Sequence, residues 1–246
     1  CNQDFSCVEG FCPSFVSVEG GKPRRSKAAK DIVDFGDIPA PTPVPLTSET
    51  WNILVTGIGG TGVITIGALM GMAAHLEGRG VSVLDMTGMS QKNGAVTSHV
   101  KLAAHPDDIH AQRIATGEAD LILGCDMLTA GAHDTIAKTR PGRTVAVVNT
   151  HEQPTGKFAQ DPDWTFPADG IRALLDEAVD GKVFALDATR VATALLGDAI
   201  ATNLFMLGFA FQKGLVPLSE ASLHRAIELN GVAIPANKEA DLWGRR

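Results

Sequence analysis

The pattern of hydrophobic and polar residues divides most of the chain into short apolar runs that alternate with longer amphipathic stretches. Short apolar runs bounded by turn-forming residues are typical of buried strands, and the longer stretches are typical of helices. The predicted strands are residues 53–56, 81–85, 96–103, 120–124, 144–149 and 184–187. The predicted helices are residues 61–78, 127–139, 191–213 and 219–230. This alternation predicts an α/β fold with a doubly wound, mostly parallel, Rossmann-like sheet, with ligands at the carboxyl ends of its strands.

The first predicted strand runs directly into a glycine-rich turn, Thr56-Gly-Ile-Gly-Gly-Thr-Gly62. Its spacing fits Gly-X-Gly-X-X-Gly, with which dinucleotide-binding folds hold a pyrophosphate at a helix N-terminus. The candidate residues for a phosphate-bearing ligand are Gly57, Gly59, Gly60, Thr61 and Gly62. Glycine-rich turns between strand and helix also occur where nothing is bound, so a purely structural turn remains the alternative.

A polar loop after the second strand is the second candidate site. Loops at strand ends often carry binding residues, and here Ser90, Asn93, Ser98 and His99 are candidates for the same ligand. A lone His in a strand is, however, more often packed and hydrogen bonded than functional. Because no nucleophile, base and orienting group occur together, no catalytic residue is assigned.

Asp85 ends the second strand, 23 positions after Gly62, where an NAD-binding fold places the acid that binds the ribose. This position favours a nucleotide ligand. A short acid after a strand is also a common turn former, so the coincidence does not decide between the two interpretations.

Net charge and apolar run length exclude some classes of function. The net charge of −7 argues against a nucleic-acid-binding surface, which needs clustered Lys and Arg. No apolar run approaches the length of a membrane span, and no signal-peptide pattern opens the chain. A cytoplasmic location is therefore predicted. The chain begins inside a cysteine motif, so we expect it to be a piece of a longer polypeptide.

Three of the four cysteines, Cys1, Cys7 and Cys12, lie within the first twelve residues. Clustered thiols in a cytoplasmic protein are typical of metal ligands, and a final Cys-Pro pair also closes ferredoxin cluster motifs. Reduced, inert thiols or a disulfide remain the alternative. The fourth, Cys125, follows an apolar strand and is predicted to be a small core residue.

A proline-rich stretch separates this small Cys-rich N-terminal segment from the α/β region. Alternating prolines at residues 39–45 favour an extended conformation and cannot join a sheet interior. The predicted organisation is an iron–sulfur region at residues 1–20, a linker at residues 21–50 and an α/β domain at residues 51–246.

Five sequence segments carry a resemblance. They are Cys1-Asn-Gln-Asp-Phe-Ser-Cys7-Val-Glu-Gly-Phe-Cys12-Pro-Ser-Phe-Val16, the glycine turn, Met89-Ser-Gln-Lys-Asn-Gly-Ala-Val-Thr-Ser-His99, Gly214-Leu-Val-Pro-Leu-Ser219 and Ala226-Ile-Glu-Leu-Asn-Gly-Val-Ala233. Together they resemble the fused indolepyruvate ferredoxin oxidoreductases of the 2-oxoacid:ferredoxin oxidoreductase superfamily. The resemblance covers nearly the whole chain. It identifies residues 51–246 as the domain called gamma in multisubunit relatives and residues 1–20 as the end of the iron–sulfur region.

The resemblance implies that thiamine diphosphate with Mg, bound in domains outside this chain, decarboxylates an aryl pyruvate such as indolepyruvate. Electrons would pass through [4Fe-4S] clusters to ferredoxin, and coenzyme A would take the acyl group. Cys1, Cys7 and Cys12 correspond to cysteines of the cluster region, although their spacing departs from a compact ferredoxin run. The implied partners are the thiamine-binding domains, ferredoxin and a 2-oxoacid, in a homo-oligomer; the fragment alone is expected to be inactive.

Two other functions remain open at this point. Gly57, Gly59, Gly62 and Asp85 also suit a stand-alone NAD-dependent dehydrogenase. The region could instead be a non-catalytic docking domain that positions its neighbours and binds no ligand. By analogy with the family, the glycine turn and residues 90–99 are expected to bind coenzyme A or to form a domain interface.

Overall fold

The computed structural model describes residues 19–21, 35–46, 49–88, 94–153, 161 and 163–246. In this part of the chain one sheet is formed by β1 (Trp51–Ile58), β2 (Gly80–Thr87), β3 (Ala95–Ala103), β4 (Leu121–Gly124), β5 (Val145–Asn149) and β6 (Val183–Leu186). The helices are α1 (Val63–Leu76), α2 (Met127–Ala130), α3 (His133–Ile136), α4 (Ala168–Ala178), α5 (Ala188–Leu196), α6 (Thr202–Gln212), α7 (Glu220–Asn230) and α8 (Ile234–Arg245).

The strand order is β2-β3-β1-β4-β5-β6, and five of the six strands run in the same direction. The exception is β3, which pairs antiparallel with both β1 and β2. Residues 88–94, between β2 and β3, are too few for the crossover that a parallel neighbour needs, so the chain reverses there. The prediction of an α/β fold with a mostly parallel sheet is confirmed. The order differs from the dinucleotide-binding one because β3 separates β2 from β1.

Each face of the sheet has its own hydrophobic core. On one face, Ile53 and Val55 of β1 pack with α1 and with the C-terminal helices α5 to α8. On the other face, Leu54 packs with α2, α4 and the segment around Ile114. Since neighbouring residues of a strand point to opposite faces, this alternation decides which core each side chain joins.

Two predicted helices are wrong as single elements. Residues 127–139 form two one-turn helices, α2 and α3, with Gly131 at the end of the first. Residues 191–213 are divided between α5 and α6, because Gly197 adopts the left-handed conformation and Asp198 starts a 3₁₀ turn by accepting from the Ile200 amide. The sequence also failed to predict α4 and α8. The prediction for α7 is confirmed: Ser219 is its N-cap and Gly231, with φ of 74°, ends it.

The described part of the proposed linker, residues 35–46, lies along the C-terminal helices. The Val44 amide donates to the Gly214 carbonyl at 2.9 Å, and the Gln212 side chain donates to the Pro39 carbonyl at 2.8 Å. The Phe35 and Trp243 rings meet edge to face at 5.1 Å. The domain boundaries stay predictions, since Cys1, Cys7 and Cys12 are outside the described residues. No helix among the described residues is long and apolar enough to cross a membrane.

Candidate functional site

The glycine turn joins β1 to α1 at the carboxyl edge of the sheet. Gly62, with φ of 98°, is the N-cap of α1 and provides no side chain to cap the first turn. A Cβ atom at Gly57 would lie 2.6 Å from Cγ2 of Val63, so this glycine lets the helix pack closely on the strand. The first turn of α1 also contains no acidic residue. Its amide groups are therefore compatible with an anionic ligand.

The turn is in contact with the polar loop that was predicted to act with it. The Gly59 amide donates to the Gly94 carbonyl at 2.8 Å, and a Cβ atom at Gly59 would lie 3.3 Å from the same oxygen. Both segments meet because β3 begins beside the end of β1, where Ala95 pairs with Ile58. The structure thus brings the two candidate segments together at one edge of the sheet. Ser90 and Asn93 themselves lie outside the described residues.

A cavity of about 280 Å³, which we call the edge cavity, opens beside the glycine turn. Gly60 and Thr61 form one wall, and the ends of β4 and β5 and the start of α6 form the others. Thr61 is held in place because its hydroxyl donates to the Ile58 carbonyl at 2.7 Å and its own carbonyl accepts from the Asn203 side chain at 2.9 Å. Gly60 has φ of 86°, and nothing lies within 4 Å of the position that a Cβ atom would take, so it faces open space.

Asn149, the last residue of β5, organises the far wall of the edge cavity. Its Nδ2 donates to the Cys125 carbonyl and to the Thr189 hydroxyl, at 3.1 and 2.8 Å. Its Oδ1 accepts from the amides of Ala188 and His151. These bonds tie β4, β5 and α5 together. Sequence reasoning did not select Asn149, although its position at the carboxyl end of a predicted strand was an available signal.

The remaining polar residues of the edge cavity suit binding rather than nucleophilic chemistry. Cys125 is buried, and burial together with the neighbouring Asp126 raises the pKa of its thiol to about 12. The thiol therefore stays protonated at neutral pH and is a poor nucleophile. Its predicted role as a small core residue is confirmed. Asp126 caps α2 by accepting from the Thr129 amide at 2.8 Å.

Ser98 and His99, predicted to act together, face opposite sides of the sheet. Ser98 packs against α1 so closely that a Cβ atom at Gly67 of that helix would clash with the Ser98 side chain. His99 pairs with Leu54 on the other face, and its Nδ1 accepts from the Ile114 amide at 3.1 Å. Neither residue lines the edge cavity. A joint role for the two in binding one ligand stays a prediction that this arrangement does not favour.

His99 is held neutral by its surroundings. Burial lowers its pKa from the ordinary value of 6.5 to about 4, and the positive charges of Lys138, Arg113 and Lys101 act in the same direction. Because Nδ1 accepts a hydrogen bond, the ring proton is on Nε2.

This lowered pKa predicts a loss of stability on acidification. Above the unfolded-state pKa of 6.5 the ring is neutral in both states; as the pH falls toward about 4, only the unfolded state binds the proton. Between about pH 7.5 and about pH 5, we expect the urea midpoint of the wild-type chain to fall further than that of His99→Gln. Equal decreases in both proteins would show that His99 does not contribute to the pH dependence.

The position of Asp85 does not support the NAD alternative. The acid that binds the ribose ends the strand next to β1 in dinucleotide-binding folds. Here β3 occupies that place, so Asp85 lies two strands from β1, or about 9.5 Å at ordinary strand spacing. Its side chain is exposed.

The described residues contain no group of three or more His, Cys, Asp or Glu side chains that could hold a metal ion. They therefore offer no ligand set for an iron–sulfur cluster or for the Mg of thiamine diphosphate. No chemical step is assigned to either group in this part of the chain.

Comparisons of sequence give one consistent picture. Residues 52–244 match the family model for pyruvate ferredoxin/flavodoxin oxidoreductase. The indolepyruvate oxidoreductase subunit IorB of Pyrococcus horikoshii is 30% identical over 184 residues, which cover 74% of this chain and 87% of the relative. The subunit of the same name from Thermococcus kodakarensis is 29% identical, with the same two shares.

Comparisons with solved structures support the fold. The gamma subunit of a keto/oxoacid ferredoxin oxidoreductase from Geobacter sulfurreducens has a TM-score of 0.54 and 20% identity, covering 79% of this chain and 96% of that one. The 2-oxoglutarate:ferredoxin oxidoreductase from Magnetococcus marinus, solved with 2-oxoglutarate, coenzyme A and succinyl-CoA bound, has a TM-score of 0.57 and 20% identity. That match covers 80% of this chain and 30% of the other.

Proposed function

The chain belongs to the pyruvate ferredoxin/flavodoxin oxidoreductase family, and from this membership we propose that it is the gamma-type component of an indolepyruvate:ferredoxin oxidoreductase. The complete enzyme would oxidatively decarboxylate aryl pyruvates to the acyl-CoA and pass the electrons to ferredoxin. The choice of indolepyruvate is supported by sequence relatives that carry that substrate in their names and match this chain over 87% of their length.

The contribution of this chain would be to bind the phosphate-bearing part of coenzyme A at the glycine turn. The observation that carries this proposal is the edge cavity, which opens where Gly60 and Thr61 leave the end of β1. A second cavity of about 280 Å³ lies over Gly62, Val63 and Ile64 at the start of α1, and Gly60 lines both. Amide groups at a helix start favour a phosphate through hydrogen bonds and the helix dipole.

The walls of the edge cavity would fix the ligand rather than react with it. Asn149 and Asn203 are buried and hydrogen bonded to backbone groups, so both walls are organised before a ligand arrives. A preorganised site loses less conformational entropy on binding. The thiamine diphosphate and the [4Fe-4S] clusters would be held elsewhere in the complex, with Cys1, Cys7 and Cys12 as candidate cluster ligands.

A viologen-reduction assay tests this function. The complete complex, assembled with this chain, is expected to reduce the dye when given indolepyruvate and coenzyme A, with kcat/KM at least about tenfold higher than for 2-oxoglutarate. A complex assembled without this chain is the control and should lose coenzyme A-dependent turnover. A preference for 2-oxoglutarate would contradict the substrate assignment, and no reduction with any 2-oxoacid would contradict the function.

A further inference from the structure

A third cavity, also of about 280 Å³, lies on the face of the sheet opposite α1. Its walls come from β1 and β3 on one side and from the two short helices α2 and α3 on the other. We call it the second-face cavity. The polar side chains that matter for the argument are Thr97, His99, Arg113 and Lys138. None of these four lines the edge cavity, so this is a separate site.

The second-face cavity has an excess of positive charge. Among the described residues, neither Arg113 nor Lys138 forms an ion pair, whereas the nearby Lys101 has Glu118 at 4.0 Å. The acidic residue of the lining is Asp134, and its side chain is 99% exposed, so water screens its charge strongly. Of the two cations, Lys138 is only partly exposed, whereas Arg113 is exposed and its charge is screened more by water. A partly buried cation without an acidic neighbour is stabilised by an anionic ligand.

His99 adds a hydrogen-bond donor to the same cavity. The residue is 2% exposed, and its Nδ1 accepts from the Ile114 amide, which leaves the proton on Nε2. None of the described residues accepts a hydrogen bond from Nε2. The ring lines the cavity, so this donor is the candidate group for a ligand bound there. A neutral imidazole N–H beside two cations suits an oxyanion.

We propose that the second-face cavity binds the oxyanion group of a small molecule, with Arg113 and Lys138 supplying charge and His99 supplying a hydrogen bond. Phosphate and carboxylate share this chemistry, so the group could come from coenzyme A or from the carboxylate of the 2-oxoacid. The site does not depend on whether the glycine turn binds coenzyme A, because the two cavities share no lining residue.

Calorimetric titration with inorganic pyrophosphate tests this site in the assembled complex. All chains would carry Gly60→Glu, which introduces a negative charge at the edge cavity and suppresses binding there. We expect Arg113→Gln and Lys138→Gln each to weaken pyrophosphate binding by about tenfold, the effect of one charged hydrogen bond. Lys138→Arg keeps the charge and should retain most of the affinity. Arg172→Gln, which removes an exposed cation of α4, is the matched control.

Steady-state kinetics without the Gly60 substitution then identify the source of the oxyanion. A higher KM for coenzyme A in Arg113→Gln and Lys138→Gln, with an unchanged KM for indolepyruvate, supports a phosphate. A higher KM for indolepyruvate alone supports the carboxylate.

Unchanged pyrophosphate affinity in both variants would overturn the proposal, as would an equal loss of affinity in Arg172→Gln. Dissociation of other subunits from the complex in Arg113→Gln or Lys138→Gln would also overturn it, because that result would show that the two cations bind a partner protein and not a small molecule. The complex could also fail to reduce the dye while Arg113→Gln and Lys138→Gln still weaken pyrophosphate binding. That result would support the oxyanion site and refute only the proposed enzyme function.

Discussion

Gly208→Ala is expected to lower the free energy of unfolding by about 3 kcal/mol, the upper part of the range for overpacked cores. Gly208 lies in α6, where it faces the backbone of α8. A Cβ atom there would lie 2.8 Å from the carbonyl carbon and 3.0 Å from the Cα atom of Asp241. A backbone cannot move aside as the end of a flexible side chain can, so the two helices would have to separate. Gly244 of α8 meets the Phe205 carbonyl of α6 in the same way.

The same substitution at Gly170 is the matched control. Gly170 is in α4, and nothing lies within 4 Å of the position that its Cβ would occupy. Gly170→Ala should therefore stabilise the chain by about 0.5–1 kcal/mol through helix propensity alone. Urea unfolding followed by tryptophan fluorescence measures both changes. Equal effects of the two substitutions would contradict the close packing of α6 on α8.

The elements with strong local signals could be predicted from the sequence. The spacing of Gly57, Gly59 and Gly62 correctly indicated a strand, a tight turn and a helix, because each glycine meets a backbone or packing constraint that few other residues satisfy. Ser219 and Gly231 marked the ends of α7 for the same local reason. The positions of β1, β3, β4 and β5 followed from apolar runs that are buried in the structure, whereas the edge strands β2 and β6 are mostly only partly buried or exposed.

The position of β3 could not be predicted, because strand order depends on contacts between distant residues. The pattern of residues 96–103 indicated a strand but not that it lies between β2 and β1. This insertion moves Asp85 away from β1, whereas Ser98 and His99 lie on opposite faces because they are consecutive residues of one strand. The period of a strand predicts that consecutive residues face opposite sides of the sheet, but it does not tell which face carries a ligand site.

The walls of the edge cavity were also missed, for a similar reason. Asn149, Thr189 and Asn203 are far apart in the sequence and come together around one cavity only in the folded chain. None belongs to a local motif. Of the cationic residues of the second-face cavity, Arg113 lies outside every predicted element and Lys138 lies near the end of the predicted helix 127–139.

Gly60→Glu is expected to weaken the binding of coenzyme A by more than about tenfold, since a carboxylate near a phosphate at the protein surface costs several kcal/mol. Gly60 lines both cavities at the start of α1, and its Cβ position faces open space. The new side chain can therefore be accommodated without displacing neighbouring atoms. It adds about 1–2 kcal/mol of backbone strain, because φ is 86°.

Gly142→Glu controls for that strain and for the added charge. Gly142 has φ of 78°, and nothing lies within 4 Å of its Cβ position. It precedes β5 and so lies at the amino edge of the sheet, opposite the glycine turn. The two variants should lose similar stability but differ in ligand binding.

Calorimetric titration of coenzyme A into the assembled complex tests the central claim most directly, with wild-type, Gly60→Glu and Gly142→Glu chains compared at the same ionic strength. The proposed site at the glycine turn predicts that Gly60→Glu alone raises the dissociation constant, by more than about tenfold. Wild-type affinity in Gly60→Glu, or an equal loss in Gly142→Glu, would contradict it.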